Sequence, residues 1–246
     1  MRARRAAGWT AAAAAGAGLL HLAPAAVRLD RVRRVAARAT AGFGAAGHVA
    51  LTFDDGPDPR STPYVLDALD ELGVHATFFL LGAALERAPG LGRELVARGH
   101  EVAVHGWHHR VQWYPAPRRD LGEVRRTAAA VTELCGARPL WYRPPYGVLT
   151  TGLALAARRC GLRTVLWTAW GRDWTERSTP ESVYATARPG LAGGATLLLH
   201  DSDCTSAPGS WRSALGALPL LVGHCREAGL TVGPLRDHGP LGGRGR

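Results

Sequence analysis

The chain has 246 residues, a formal net charge of +10, 46% hydrophobic residues and thirty basic residues, every one of them arginine. Residues 1–47 hold eight Arg and one acid, residues 236–246 three Arg and one acid, and residues 48–235 nineteen Arg and eighteen acids. The excess charge therefore sits at the two ends, which argues against a nucleic-acid footprint across the folded part, and the length suits one large domain with tails.

Arg2, Arg4 and Arg5 precede an uncharged, alanine-rich run from Ala6 to Val27 that contains Leu19, Leu20 and Leu22 and ends in Ala23-Pro24-Ala25. Basic start, apolar middle and small-residue end are the layout of a secretory signal, although alanine is only weakly apolar and His21 interrupts the run. Export or membrane attachment at the cell envelope is the expectation, with a cytoplasmic chain carrying an Ala-rich extension as the alternative. Residues 28–47, with Arg31, Arg33, Arg34, Arg38, Gly42, Gly44 and Gly47, read as a linker, and residues 236–246 as a flexible tail. Cys135, Cys160, Cys204 and Cys225 follow no CxxC or zinc-ribbon spacing. Two disulfides suit an exported chain, and four buried thiols suit either location.

From His48 onward, short β-rich runs alternate with helical patterns. Strands are predicted over 48–53, 76–81, 101–105, 139–143, 163–169, 195–200 and 230–233, and helices over 62–72, 89–98, 117–135, 150–160, 180–191 and 211–228. Several helices stop at glycine, as at Gly73, Gly99, Gly136, Gly161 and Gly229. Such repeated alternation argues a parallel sheet, open or closed into a barrel. Nearly all the unusual residues fall at the C-terminal ends of predicted strands, the face on which barrel active sites are built.

The first strand alternates Val49, Leu51 and Phe53 and ends in Thr52-Phe53-Asp54-Asp55-Gly56-Pro57. Two neighbouring acids at a buried strand end repel each other and lose solvation, so a cation or a shared proton is needed nearby. The same residues are also ordinary turn formers. The third strand ends in Val104-His105-Gly106-Trp107-His108-His109. His105 and His109 are four apart, and a helical turn there puts both imidazoles on one face, able to share a metal, with His108 turned away. Together with the Asp pair they suggest a two-His, one-carboxylate site. In Trp141-Tyr142-Arg143-Pro144-Pro145-Tyr146-Gly147, the prolines extend the chain and lack amide protons. The Tyr146 N–H is then the first backbone donor after Arg143, suited to an oxyanion, while Arg143 suits a carboxylate. Trp170-Gly171-Arg172-Asp173-Trp174 sets an acid between tryptophans, able to raise the pKa of a neighbouring histidine. The sixth strand, Leu197-Leu198-Leu199, ends in His200-Asp201, and a histidine at the mouth of a buried strand suits general acid catalysis.

With these five motifs in order, the stretch from about His48 to Leu235 resembles the polysaccharide deacetylase family, the NodB-homology domain of carbohydrate esterase family four. The resemblance implies an α/β fold, a distorted (β/α) barrel of about seven parallel strands. It implies one divalent metal ion, usually zinc with cobalt or another divalent ion as substitutes, held by Asp55, His105 and His109. Asp54 is then the base, His200 the acid, Arg143 the partner that orients Asp54, and Asp173 the group that tunes His200. The Tyr146 amide completes the oxyanion hole, and Pro145, Tyr146, Trp174 and Leu198 line the substrate pocket. The implied substrate is an N-acetylated glycan such as peptidoglycan or a chitin-like oligomer, and the chain is expected to act as a monomer without nucleic acid. An O-acetyl esterase of xylan-like polysaccharide and a non-catalytic carbohydrate-binding envelope protein are the alternatives. Loop aromatics Trp107, Trp113, Tyr114 and Trp211 are candidates to stack on sugar rings. Two positions depart from the family: Gly106 stands where Ser or Thr is usual, which removes a loop hydrogen bond, and Trp170 stands where an Asp is frequent, which alters the substrate pocket.

Overall fold

Alternation along the strands sorts the interior into two layers. All seven residues of β1 (His48–Asp54) are buried. Val49, Leu51 and Phe53 join the large apolar layer beneath the helices, whereas Ala50 belongs to a smaller cluster with Phe79, Ala103, Trp141, Val165 and Leu235. Successive side chains of a strand point to opposite faces, so Ala50, Thr52 and Asp54 line the inside of the sheet. The small and polar residues at these even positions leave room for functional groups in the barrel interior. The computed structural model describes residues 16, 18 and 20–241.

The sheet continues with β2 (Thr77–Leu81), β3 (Glu101–Gly106), β4 (Trp141–Tyr142), β5 (Arg163–Thr164), β6 (Ala169–Trp170), β7 (Thr196–His200) and β8 (Thr231–Gly233). Every pairing is parallel, in the order β5-β4-β3-β2-β1-β7-β6. β8 pairs with His48–Ala50 of β1, along the edge on which β2 takes Thr52–Asp54. The crossovers are α1 (Thr62–Leu72), α2 (Gly82–Arg87), α3 (Pro89–Ala97), α4 (Pro117–Cys135), α5 (Thr151–Arg159), α6 (Pro180–Ala187) and α7 (Trp211–Glu227). Proline in the first turn starts α1, α3, α4 and α6, where its missing N–H has no helical partner to lose. Thr179 and Ser182 cap α6 reciprocally. Only α2 is absent from the sequence reading: its six residues follow β2 without a turn.

The predicted strand over 163–169 is divided. Its start pairs with β4 and its end with β7, so one continuous segment leaves one edge of the sheet and joins the other. The curled sheet is thus closed by the chain itself rather than by a hydrogen-bonded ladder. Residues 38–44 fill this seam. Leu166 N–H donates to Thr40 O at 2.7 Å and Thr196 Oγ1 to Gly42 O at 2.6 Å. Gly42 has φ +92° and no space for a Cβ, which would lie 2.8 Å from Thr196 Oγ1. The linker reading of residues 28–47 is corrected accordingly: they form short helices at Asp30–Val35 and Arg38–Ala41, and Ala41 is fully buried.

The flexible-tail reading fails for residues 236–238. Arg236 N–H donates to the buried Glu101 carboxylate at 3.0 Å, and His238 is buried with its Nδ1 2.8 Å from that of His48. Residues 1–15, 17, 19 and 242–246 lie outside the described residues, which include most of the signal-like run. Among the described residues no helix is long and apolar enough to cross a membrane. All four cysteines are unpaired, and Cys204 is exposed rather than buried.

Candidate active site

At the C-terminal mouth of the barrel, Asp55 follows the last residue of β1 with φ +81°. Its Oδ1 lies 3.3 Å from His105 Nε2 and 3.3 Å from His109 Nε2, and its Oδ2 accepts from Thr205 Oγ1 at 3.0 Å. Asp55 Oδ1 is buried and has no hydrogen-bond donor. His105 donates Nδ1–H to the Arg143 carbonyl at 2.8 Å, which fixes the tautomer and leaves the Nε2 lone pair facing Asp55. A buried carboxylate oxygen without a donor, facing two imidazole nitrogens, is the donor set of a divalent cation, and the three ligand atoms lie within 4.8 Å of one another. Burial by itself opposes ionisation of Asp55. The close approach of His105 and the fields of His200, His105 and His109 outweigh it and hold the carboxyl well below the usual range. Burial pushes the His109 imidazole down to about 4, so it stays neutral, as a ligand must.

The two histidines meet without a helical turn. His105 is the penultimate residue of β3, Gly106 takes φ +106°, and a bend carries His109 back over the strand end. Gly106 therefore supplies a backbone conformation that side chains rarely adopt. His108 is exposed, as expected.

Asp54 sits beside this triad without joining it. Its Oδ1 accepts from Arg143 Nη1 at 2.7 Å, and its Oδ2 is 3.7 Å from His105 Nε2. Arg143 is completely buried. Its remaining donors reach Thr52 Oγ1 at 2.9 Å, Val165 O at 3.3 Å and Leu166 O at 2.8 Å, and its guanidinium lies over the Phe79 ring at 4.0 Å. The buried cation, with its other donors engaged, pairs directly with the Asp54 carboxylate and fixes its orientation.

On the opposite wall, Asp173 receives the His200 backbone N–H on Oδ2 at 2.7 Å and faces His200 Nδ1 with Oδ1 at 3.0 Å. Burial disfavours the imidazolium, but Asp173 outweighs it and lifts His200 to about 10. The cleft between these walls has a volume of about 510 Å³; Trp113, Trp167, Trp170, Trp174 and Leu198 give it an apolar face. Trp170 packs between Trp167 and Trp174 in tilted contacts, with ring centroids 6.0 and 5.1 Å away. Tyr146 is half exposed on the rim with φ +56°, its ring edge-on to His109 at 4.2 Å. Asp55, Tyr146 and Arg172 are the non-glycine residues with positive φ among the described residues, and all three border this cleft or the strand leading from it. Strain collected at one place is the pattern of a working site.

Comparison with known proteins agrees with this geometry. A family model described as polysaccharide deacetylase matches residues 44–165, which include Asp54, Asp55, His105, His109 and Arg143. A chitooligosaccharide deacetylase of Bradyrhizobium sp. (strain ANU 289) is 37% identical over 198 residues, covering 76% of this chain and 88% of that protein. This chain belongs to the polysaccharide deacetylase family. A peptidoglycan-N-acetylglucosamine deacetylase of Listeria monocytogenes is 35% identical over 159 residues, 65% of this chain but only 33% of that longer protein. The solved family 4 carbohydrate esterase of Streptomyces lividans, in complex with acetate, superposes with a TM-score of 0.69 at 30% identity, covering 78% of this chain and 95% of that one.

Within this polysaccharide deacetylase, ten of the eleven singled-out residues converge on the mouth: Asp54, Asp55, His105, His109, Arg143, Tyr146, Asp173, Leu198 and His200, with Trp174 on the cleft wall. Pro145 does not line the cleft; it is buried beneath it. Trp107 and Trp211 are also buried, under Arg126 and against Tyr64, whereas Trp113 and Tyr114 are exposed. Sequence reasoning passes over Asp201. Its Oδ1 accepts from Gly56 N–H at 3.2 Å and its Oδ2 from Thr62 Oγ1 at 2.6 Å. A Cβ at Gly56 would strike that carboxyl at 2.1 Å, so glycine and acid together hold the turn that aims Asp55. Its place beside His200 was the available signal.

Proposed function

We propose that the chain is a divalent-metal-dependent deacetylase that hydrolyses the N-acetyl groups of glycans of the peptidoglycan or chitin type. The buried, donorless Asp55 Oδ1 facing two imidazole nitrogens supports this reading most directly. Asp55, His105 and His109 would hold the ion, and zinc or cobalt suits one carboxylate and two imidazoles. Bound there, the cation supplies Lewis acidity that polarises the acetyl carbonyl and makes a nearby water easier to deprotonate. Asp54, oriented by Arg143 and with Oδ2 toward the site, takes the proton of the attacking water. The Tyr146 N–H donates to the oxygen that gains charge. His200, held protonated by Asp173, gives its proton to the departing sugar amine, without which an amide nitrogen leaves poorly. Leu198 and the tryptophans bound the space for the acetyl group.

Action at the cell envelope belongs to the same proposal, supported by the signal-like start of the chain. Acetate release from a panel of N-acetylglucosamine oligomers, peptidoglycan fragments and acetylated xylan tests the proposal. Release is expected from the N-acetylated members, lost with chelator and restored by zinc or cobalt. No release from any member after reconstitution overturns it, and release from xylan alone replaces the amide with an ester.

A further inference from the structure

A second hollow of about 420 Å³ meets the tryptophan-walled cleft at Asp55, His109 and Thr205, which line both. Its other wall is cationic: Arg60, Arg87 and Arg110 border it. Arg60 is bridged by Asp58 at 3.0 Å and Asp203 at 3.1 Å. Arg87, the last residue of α2, and Arg110, just past the β3 bend, are exposed. Among the described residues, neither guanidinium has an ion pair or a hydrogen bond. Arg98, by contrast, is held by Asp67, Asp70 and Glu94. Two unpaired cations on one wall of a pocket that opens onto the ligand triad raise the local potential for an anion, and the guanidinium fork matches a carboxylate in two-point contact.

We infer that this hollow is a subsite for a carboxylate carried on a sugar adjoining the one that is deacetylated. The glycan runs from the tryptophans, where sugar faces stack, across Asp55 and His109 to Arg87 and Arg110. This rests on the deacetylase reading of the same cleft. It separates a glycan bearing lactyl or uronic carboxylates from a neutral oligomer of the same length.

The test is calorimetric binding to the full, metal-free chain at low salt. The ligands are an N-acetylglucosamine–N-acetylmuramic acid tetrasaccharide and its carboxyl methyl ester. The acid is expected to bind about fivefold more tightly than the ester, less so as salt is added. That preference is expected to vanish in the doubly substituted Arg87→Gln, Arg110→Gln chain, whose changes lie on the surface and leave the core untouched. Equal binding of acid and ester, no binding of either, or a preference that survives the double substitution overturns the subsite. Acetate release is scored separately: a carboxylate preference without any release supports the subsite and counts against the deacetylase reading.

Discussion

The mouth and the floor of this barrel both bury carboxylates and histidines, and they treat them differently. At the floor, Glu101 accepts from Trp141 Nε1 at 2.9 Å, Thr77 Oγ1 at 2.7 Å and Arg236 N–H at 3.0 Å, so neutral donors meet its charge and lock the C-terminal segment against the strands. At the mouth, Asp55 Oδ1 meets no donor, and Asp54 uses one oxygen on Arg143 and leaves the other toward the cleft. Buried polar groups are ordinarily hydrogen-bonded, so a satisfied network serves the fold and an unsatisfied oxygen is held for something that binds.

Asp54→Asn would break the contrast most severely. It keeps the volume of the side chain and removes the proposed base, and acetate release is expected to fall about 10²- to 10⁴-fold while zinc content stays the same. Retained activity would show that Asp54 is a structural partner of Arg143, like Glu101 at the floor. Next in size, Arg143→Met leaves Asp54 buried without its cation, and urea unfolding is expected to show a loss of about 3–5 kcal/mol, with activity lost as well. At the floor, Glu101→Gln should cost about 1–3 kcal/mol of stability, because the amide cannot accept all three donors, and leave kcat for acetate release unchanged. A drop in kcat there would mean that the two ends of the barrel are coupled.

The smallest effect is a displaced pH profile. Asp173 raises His200 to about 10, and the proposed acid is the protonated imidazole. In Asp173→Asn the alkaline limb of kcat is expected to move down by roughly one to two pH units. The linkage has the matching sign. His200 is raised in the folded state, so its contribution to stability is complete below its unfolded pKa and disappears as pH rises through about 10. The stability difference between the native chain and the Asp173→Asn variant should therefore be wide at pH 6 and narrow above pH 10; a constant difference would show that Asp173 acts through packing alone.

Much of this was legible in the sequence, because the residues that act stand at strand ends, where hydrophobic alternation stops abruptly. Val49, Leu51 and Phe53 announce β1, and whatever follows Phe53 must lie at a mouth. The bend at Gly106 was not legible as such: spacing of four suits a helix, and the glycine conformation that brings His109 over His105 leaves the same trace in the sequence. Nor was the division of 163–169, since Val165 and Leu166 are as β-prone as their neighbours and only tertiary pairing assigns the two ends to different edges. Asp201 and Glu101 leave no such mark, because a single acid in a strand or just past its end carries no spacing; their meaning lies in donors contributed from other elements.

The seam at 165–168 has a consequence for where the chain can be cut. In a regular strand the carbonyls of Val165 and Leu166 would belong to a ladder; here they accept from Arg143, and Leu166 is itself tied by its N–H to Thr40. A protein trimmed to begin at His48, as its first strand invites, would keep every side chain proposed to act and lose the strap that holds Leu166 in place. Arg143 would then rest on a loosened backbone, and the orientation of Asp54 would loosen with it. The usable N-terminal boundary of this enzyme lies ahead of residue 38, outside the first strand of its barrel.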